Sequence, residues 1–221
     1  MRQKQYLFIL LMVFDISIAF GNQIKSQQSV QLSDADRLSI ALEYFQSEKY
    51  HEALLLFQYL EQKYLLNSRY RAYMGLCYYH DWKYKEACQE LDSVMTDLKV
   101  LAPHEQAVYY YSNAESHFYL KQYSEAIPCY ERMLNVCYLN EKADAFYRLG
   151  LCYLFNQDWI NAHEYLTSSL VYYQQFGISK ELRPRISQIK NMIKGTKNHF
   201  TTKADTIVGP DNSLVIVIKE M

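Results

Sequence analysis

Small apolar residues recur along the chain in pairs with one fixed spacing. In each pair a small residue is followed twelve positions later by an alanine, and the pairs recur at intervals of 34, 39 and 36 residues. The pairs are Ala41 with Ala53, Gly75 with Ala87, Ala114 with Ala126, and Gly150 with Ala162. An aromatic residue lies three positions before each second alanine, at Tyr50, Tyr84, Tyr123 and Trp159. Self-similarity at this period indicates a chain built from structural repeats.

The residues around these pairs follow the period of amphipathic helices. Three positions after the first small residue come Tyr44, Tyr78, His117 and Tyr153, and four positions after the second alanine come Phe57, Leu91, Tyr130 and Leu166. Residues three and four apart share one face of a helix, so each repeat predicts two antiparallel helices that meet at their small residues. One such pair cannot bury its own apolar face, and the pairs must therefore stack on one another.

The spacing resembles the tetratricopeptide repeat (TPR), whose pattern is W-x2-L-G-x2-Y, then A-x3-F, then proline. The first half is matched best by Phe146, Leu149, Gly150 and Tyr153, and next best by Arg71, Met74, Gly75 and Tyr78. Ala53 and Phe57 match the second half. No repeat has the family's first tryptophan or closing proline, and Asn113 and His117 stand where the family prefers leucine and tyrosine.

This resemblance implies an all-α fold, a right-handed superhelix of about four helix pairs over residues 34–176. The expected repeats are residues 34–67, 68–106, 107–142 and 143–176, and a linker is expected over 22–33. Pro103 suits the first turn of a helix. Pro128 is expected near the start of another helix, after Ser124 as its N-cap.

A capping helix is predicted over residues 177–196, with its helical pattern in Ser179–Lys194 and Gly195 as the stop. The tail over 197–221 contains TIV, a GPDN turn and SLVIVI, a pattern typical of a short β-hairpin or strand. Two strands alone are marginally stable in water. The tail therefore packs on the capping helix or pairs with a sheet edge elsewhere, including an edge in a partner.

Residues 1–21 have the order of a secretory signal: a basic start, the short apolar run YLFILLMVF, and small residues at Ala19 and Gly21. An uncleaved membrane anchor is the alternative, although Asp15 interrupts the apolar run early. No cysteine follows this run before Cys77, which excludes a lipoprotein. The chain also lacks Asn-x-Ser/Thr sequons. These features predict a bacterial exported protein that is periplasmic or extracellular, without a stable membrane span.

Charge and cysteine content narrow the classes of partner. Residues 22–179 contain 13 basic and 19 acidic residues, whereas residues 180–203 contain seven basic residues and Glu181. The chain has no long basic stripe and a net charge of −1, so we expect no nucleic-acid partner. The basic segment is interpreted either as a solvated cap or as a patch for acidic or phosphate-rich partners. The five cysteines form no CxxC pair and are expected to be buried free thiols.

Motifs that would indicate catalysis are weak. The pairs His51-Glu52, His104-Glu105 and His163-Glu164 have no second histidine at the HExxH spacing, and we interpret them as solvated residues near turns. Ser187 and Lys190 match S-x-x-K without its partner motifs. The sequence therefore predicts a non-enzymatic protein with no cofactor, no catalytic residue and no metal site.

In the family that this chain resembles, the first helix of each pair lines a concave surface that holds extended peptides. Helical spacing places an aromatic and apolar lining there, with few charges. Its residues are Leu38, Leu42, Phe45, Ala72, Leu76, Tyr79, His80, Tyr111, Glu115, Phe118, Tyr119, Tyr147, Leu151, Leu154 and Phe155. The partner-binding candidates among them are Phe45, Tyr79, His80, Tyr111, Glu115, Phe118, Tyr119, Tyr147 and Phe155. Alternatively, these rings are wedged between neighbouring helices, or the tail fills the groove.

These features predict a scaffold or adaptor of the cell envelope that holds a segment of a protein partner in its groove. One alternative is a sensory or regulatory module that binds a soluble ligand in a pocket closed by the hairpin. Another is a structural component that self-associates through the C-terminal strand LVIVI.

Overall fold

The computed structural model describes residues 32–176, 180–201, 206–208 and 214–216. Nine α-helices lie within these ranges: α1 (Asp34–Gln46), α2 (Tyr50–Glu61), α3 (Ser68–His80), α4 (Tyr84–Val94), α5 (Pro103–Tyr119), α6 (Tyr123–Val136), α7 (Lys142–Phe155), α8 (Trp159–Phe176) and α9 (Arg183–Thr201). Two short 3₁₀ helices, Asp97–Val100 and Lys180–Leu182, precede α5 and α9. The first eight α-helices form four pairs joined by short turns.

Each helix packs against the next one along the chain, which builds a stack of helix pairs. The small residues that define the repeat lie at the contacts within the pairs, and Ala41, Ala53, Ala87, Ala114, Ala126 and Ala162 are all fully buried. The bulky residues four positions after the second alanines, Phe57, Leu91, Tyr130 and Leu166, are fully buried as well. The structure thus confirms the helical repeat predicted from the spacing.

Two glycines allow especially close contact within their pairs. A Cβ atom built on Gly75 would lie 2.6 Å from Cγ of Leu91, and one on Gly150 would lie 2.7 Å from Cγ of Leu166. Real Cβ atoms do not approach other carbons this closely, so no larger residue fits without displacing the facing leucine. The Gly-Leu-Cys-Tyr sequence therefore occurs twice because the same helix contact occurs twice.

The turns inside the four pairs share one backbone conformation. Each contains a residue with a left-handed φ of 58–63°, namely Glu48, Trp82, Lys121 and Gln157. The next residue donates its N–H to a carbonyl near the end of the preceding helix, as from Lys49 N to Tyr44 O at 2.8 Å. This Schellman arrangement ends the first helix and directs the chain into the second, although none of the four residues is a glycine.

Aromatic residues join successive pairs along one edge of the stack. The first residue of each second helix stacks on a ring near the end of the next first helix or of α9. The ring centroids are separated by 3.9 Å for Tyr50 and His80, 4.6 Å for Tyr84 and Tyr119, 4.7 Å for Tyr123 and Phe155, and 3.9 Å for Trp159 and His199. We call these four contacts the ring ladder. It gives the recurring aromatic before each second alanine a role in holding one repeat to the next.

Two predicted helix boundaries are wrong. Helix α9 continues through Gly195, because Thr196 and His199 beyond it contact α8: Thr196 Oγ1 lies 3.1 Å from Nδ1 of His163, and His199 stacks on Trp159. Helix α6 begins at Tyr123 rather than after Ser124, since Ala126 N–H already donates to the carbonyl of Gln122. Pro128 consequently lies inside α6, whereas Pro103 occupies the first turn of α5 as expected.

The five cysteines are free thiols, as predicted; four are buried and Cys137 is half-buried. None of the helices that the structure describes is long and apolar enough to cross a bilayer. The predicted signal over residues 1–21 lies outside the described residues.

In the tail, strands β1 (Thr206–Val208) and β2 (Leu214–Ile216) pair antiparallel, with Ile207 opposite Val215. The turn between them also lies outside the described residues.

Candidate functional site

The predicted partner-binding residues lie on α1, α3, α5 and α7, the first helices of the four pairs. They differ in exposure: Phe45, Tyr79, Tyr111 and Phe118 are half-buried, His80, Tyr119 and Phe155 are exposed, and Glu115 and Tyr147 are buried. Helices α3 and α5 contact each other directly. We use the term groove face for the surface around Tyr79, Tyr111, Tyr119 and Arg148.

Four tyrosines lie close together at the centre of the groove face. The ring of Tyr84 lies 4.6 Å from that of Tyr119 and 6.2 Å from that of Tyr79, and Tyr111 is near enough to Tyr79 to raise its pKa. Burial raises the pKa of Tyr79, and the neighbouring Tyr111, Glu115 and Tyr119 raise it further. Burial also raises the pKa of Tyr111 to about 12, with Glu115 adding to the shift and Arg148 opposing it. None of these four hydroxyls forms a hydrogen bond with another described residue, so each is free to donate to or accept from a ligand.

A partly buried ion pair lies next to these tyrosines. Nη2 of Arg148 donates to Oε2 of Glu115 at 2.6 Å, and the hydroxyl of Tyr130 donates to the other carboxylate oxygen. Burial raises the pKa of Glu115, while Arg148 and Tyr130 oppose that shift. The guanidinium carbon of Arg148 lies 4.7 Å from the ring centroid of Phe118. The pair ties α5, α6 and α7 together.

Glu115 is buried, with 1% of its surface exposed, although the sequence placed it in the open lining of the groove. The reason is that Arg148, which helical spacing did not identify, covers its carboxylate from the next repeat. A sequence signal existed: Glu115 and Arg148 are 33 residues apart, close to one repeat, and carry opposite charges. The expectation of a lining with few charges therefore missed an ion pair at the centre, whose two charges cancel.

Most of the predicted rings are wedged between neighbouring helices and keep one surface open. Phe45 stacks on Tyr73 with centroids 4.3 Å apart. His80, Tyr119 and Phe155 belong to the ring ladder, yet Tyr119 is still 50% exposed and Phe155 49%. Packing between helices thus fixes these rings in place while leaving area for a partner to contact.

The C-terminal end of the groove face is covered by α9. Tyr147 is buried because the guanidinium carbon of Arg185 lies 4.4 Å from its ring centroid. Asp144 accepts a hydrogen bond from the hydroxyl of Tyr173, and Arg185 lies 3.9 Å from the same carboxylate. Tyr147 therefore helps to seat α9, in contrast to its expected place in the open lining.

A cavity of about 360 Å³ adjoins Tyr111 between the first halves of α5 and α7. Its lining residues are His104, Ala107, Val108, Tyr111, Met133, Asn140, Glu141 and Asp144. The floor is apolar and the rim carries two carboxylates, so the cavity fits a side chain with an apolar stem better than an anion.

The three His-Glu pairs are exposed or partly exposed, as interpreted from the sequence, and each histidine also contacts a neighbouring residue. Nδ1 of His51 lies 2.8 Å from Oδ2 of Asp81, and the ring of His104 stacks on Tyr138 at 4.2 Å. His163 contacts Thr196 of α9. In the described ranges no group of three or more histidine, cysteine or carboxylate side chains is arranged to hold a metal ion.

No protein-family model matches the chain, and the curated proteins contain no significant match. Two mutant structures of MamA are similar to it. One has a TM-score of 0.56 at 15% identity and covers 76% of this chain and 88% of its own. The other has a TM-score of 0.57 at 13% identity, with 76% and 83% covered. A kinesin light chain of Podosopora anserina with nearly identical TPR-like repeats has a TM-score of 0.52 at 14% identity, with 76% and 87% covered. The likeness concerns the fold, a TPR-like stack of helix pairs.

Proposed function

We propose that this protein is a non-enzymatic adaptor that holds an extended segment of a protein partner on its groove face. The observation that carries the proposal is the cluster of four tyrosines, Tyr79, Tyr84, Tyr111 and Tyr119, whose hydroxyls form no hydrogen bond within the part of the chain that the structure describes. An extended peptide exposes N–H and C=O groups along both edges. A tyrosine hydroxyl can accept a hydrogen bond from the N–H or donate one to the C=O. TPR-like proteins of the same fold support a role in protein binding.

The electrostatics of the groove face favour a segment that is uncharged where it crosses the centre. The charge of Arg148 is balanced by Glu115 at 2.6 Å, so a ligand carboxylate would gain little there. The exposed rings of Tyr119 and Phe155 offer flat apolar surface to the segment. Apolar or aromatic side chains of the segment would stack on them, as aromatic anchors do in protein interfaces.

We also propose that the protein acts in the bacterial cell envelope after export. The support is the signal-like order of residues 1–21, with its basic start, apolar run and small residues near Gly21. Detection of a mature N-terminus at Asn22 in the exported fraction would establish this point. Retention of Met1 in a membrane fraction would favour the anchor instead.

The test of the groove uses a photo-crosslinking amino acid placed singly at Tyr119 and at Phe155 in cells. Controls at Leu55 and Val171, on second helices, match these positions closely in exposure, at 54% and 51%. We expect the two groove positions to capture the same segment of one protein, and the controls to capture none of it. Crosslinks that return only to this chain, or equal capture by the controls, would contradict the proposal.

A second variant set tests the hydroxyls without disturbing the packing. A peptide copied from the captured segment should bind the Tyr79→Phe/Tyr111→Phe variant about 30-fold more weakly, since the loss of two net hydrogen bonds at about 1 kcal/mol each weakens binding by about 2 kcal/mol. Tyr138→Phe, which removes an exposed hydroxyl in the loop before α7, is the matched control and should bind normally. Unchanged affinity in the double variant would show that these hydroxyls do not contribute to peptide binding.

A small-molecule role is the second candidate, because the cavity beside Tyr111 measures about 360 Å³ and lies within the usual size range of ligand sites. A soluble ligand that bound there would raise the melting temperature of the purified protein. Val108→Trp should abolish such an effect by filling the cavity while leaving capture at Phe155 intact. If Val108→Trp also abolished crosslinking at Phe155, the cavity would be part of the peptide-binding site.

A further inference from the structure

Helix α9 has two contrasting faces. Ile189 and Thr196 on one face are buried, and Ile186 and Ile193 beside them are half-buried against α7 and α8. The opposite face is exposed along its whole described length. Because the first face is already occupied by the helix stack, only the second is available to a partner.

The exposed face carries a straight row of cationic side chains. Arg183, Lys190, Lys194 and Lys197 are all exposed, and their spacing places them within about 60° of one another around the helix. From Arg183 to Lys197 the row is about 21 Å long. Arg183, Lys190 and Lys194 form no ion pair with any described residue. We call this row the α9 basic stripe.

The charge of α9 contrasts with that of the helices before it. Residues 32–176 contain 12 basic and 19 acidic residues, whereas residues 180–201 contain six basic residues and one acidic residue, Glu181. The positive charge is therefore concentrated at one end of the stack. An anionic surface would attract that end and repel the remainder, which fixes the orientation of approach.

The composition of the stripe distinguishes between kinds of anionic partner. Protein interfaces are enriched in aromatic residues and arginine and depleted in lysine at their centres. The stripe has three lysines and one arginine, separated by Ser187, Asn191 and similar polar residues. No large hydrophobic residue is exposed on the described part of α9. A row of lysine point charges without an apolar anchor fits phosphate headgroups spread over a surface.

We propose that the α9 basic stripe docks this protein on an anionic lipid bilayer. A flat surface contacts Arg183, Lys190 and Lys194 at once, whereas a nucleic-acid duplex curves away from a straight helix. The buried isoleucines stay in the stack, so α9 lies on the headgroups and does not insert. The groove face belongs to α3, α5 and α7 and remains open to a protein segment while α9 is docked.

The test measures co-sedimentation of the full-length protein with vesicles of phosphatidylcholine, with and without phosphatidylglycerol. We expect binding only to the anionic vesicles and loss of binding at high salt. The Lys190→Gln/Lys194→Gln variant should partition about 25-fold less strongly, since each lysine near an anionic surface contributes a factor of about five. The N-terminal apolar segment is identical in all variants, so the difference reports on α9 alone.

Lys85→Gln/Lys121→Gln removes two exposed lysines elsewhere and serves as the matched control, with partitioning expected to stay near that of the unaltered protein. Three results would overturn the proposal. The first is equal vesicle binding by both double variants, and the second is tighter binding to duplex DNA than to anionic vesicles. The third is a lipid-free, salt-sensitive dimer that Lys190→Gln/Lys194→Gln abolishes, which would assign the stripe to a second copy of the chain.

Discussion

At Gly75 and Gly150 the absence of a side chain determines how closely two helices pack. The leucine that faces each glycine occupies the space that a methyl group would need, at 2.6 Å and 2.7 Å from the built Cβ positions. Gly195 is different, because nothing lies within 4 Å of its Cβ position. The same residue type thus serves a packing role at two positions and no visible role at the third.

This difference predicts opposite effects of one substitution. Gly150→Ala should lower the free energy of unfolding by about 1–3 kcal/mol, since Leu166 and its backbone must move. Gly195→Ala should raise it by about 0.5–1 kcal/mol, because alanine favours the interior of an exposed helix. Urea denaturation of the two variants measures both. A neutral Gly150→Ala would mean that Leu166 yields without cost and that the close contact is not required.

Between elements, polar contacts join helices where the repeat pattern is least regular. His117 on α5 lies with Nε2 3.3 Å from Asp92 of α4, and its Nδ1 lies 2.8 Å from Oε1 of Gln122. Asn113 donates to the same Asp92 at 2.7 Å. Two polar residues at positions where the family prefers leucine and tyrosine are therefore explained by an acidic partner on the neighbouring helix.

The contacts of His117 predict a pH dependence of stability. Burial alone would lower its pKa, but hydrogen bonds with Asp92, Cys88 and Gln122 outweigh burial and raise the pKa from 6.5 to about 10. A histidine whose pKa is higher in the folded than in the unfolded state stabilises the fold. The contribution is complete at pH values below the unfolded-state pKa and is lost as the pH rises through the folded-state pKa. Between about pH 6.5 and about pH 8.5, stability should therefore fall by at most about 1.4 kcal/mol per pH unit.

Denaturation of the unaltered protein and of His117→Tyr over that pH range measures this contribution. Tyrosine is the residue that the family prefers there, and its side chain does not titrate in this range. The downward slope should be smaller in the variant by the amount that His117 contributes. Ser187→Ala, which alters an exposed side chain of α9 that carries no titratable group, is the control and should keep the slope. Identical slopes in His117→Tyr and the unaltered protein would show that His117 binds no extra proton on folding.

The ring ladder is the second link between elements. Its four contacts have centroid separations of 3.9–4.7 Å and interplanar angles of 22° or less. Stacked aromatic pairs contribute about 0.5–1.5 kcal/mol beyond the area they bury. Their regular placement holds each repeat to the next along one edge, while the rings of Tyr119 and Phe155 remain accessible on the groove face.

For the whole molecule, stacking of neighbours implies that stability is local along the stack. Ile189 of α9 is fully buried and packs with Tyr147 and Leu166 at one end, and Phe57 of α2 is fully buried at the other. Each helix pair contacts mainly its neighbours, so a defect should propagate over one or two pairs. The groove face lies between these two ends and depends on both.

Ile189→Ala should accelerate amide hydrogen exchange in α7, α8 and α9, because removal of a buried isoleucine side chain costs about 2–5 kcal/mol. Exchange in α1, α2 and α3 should stay unchanged. The reciprocal variant Phe57→Ala should show the reverse pattern and acts as the control. If both variants accelerated exchange evenly along the chain, the molecule would unfold as one cooperative unit.

The sequence alone predicted the repeat, the positions of its small and bulky residues, the free thiols, and the helices that carry the candidate site. These features follow from the helical period and from the size of individual side chains, which are local properties. Only the tertiary structure paired Arg148 with Glu115, buried Tyr147 under α9, extended α9 past Gly195 and brought four tyrosines together. Each of these depends on which side chains the neighbouring repeat places within a few ångströms, because ion pairing, burial and helix ends respond to contacts between repeats rather than to spacing within one.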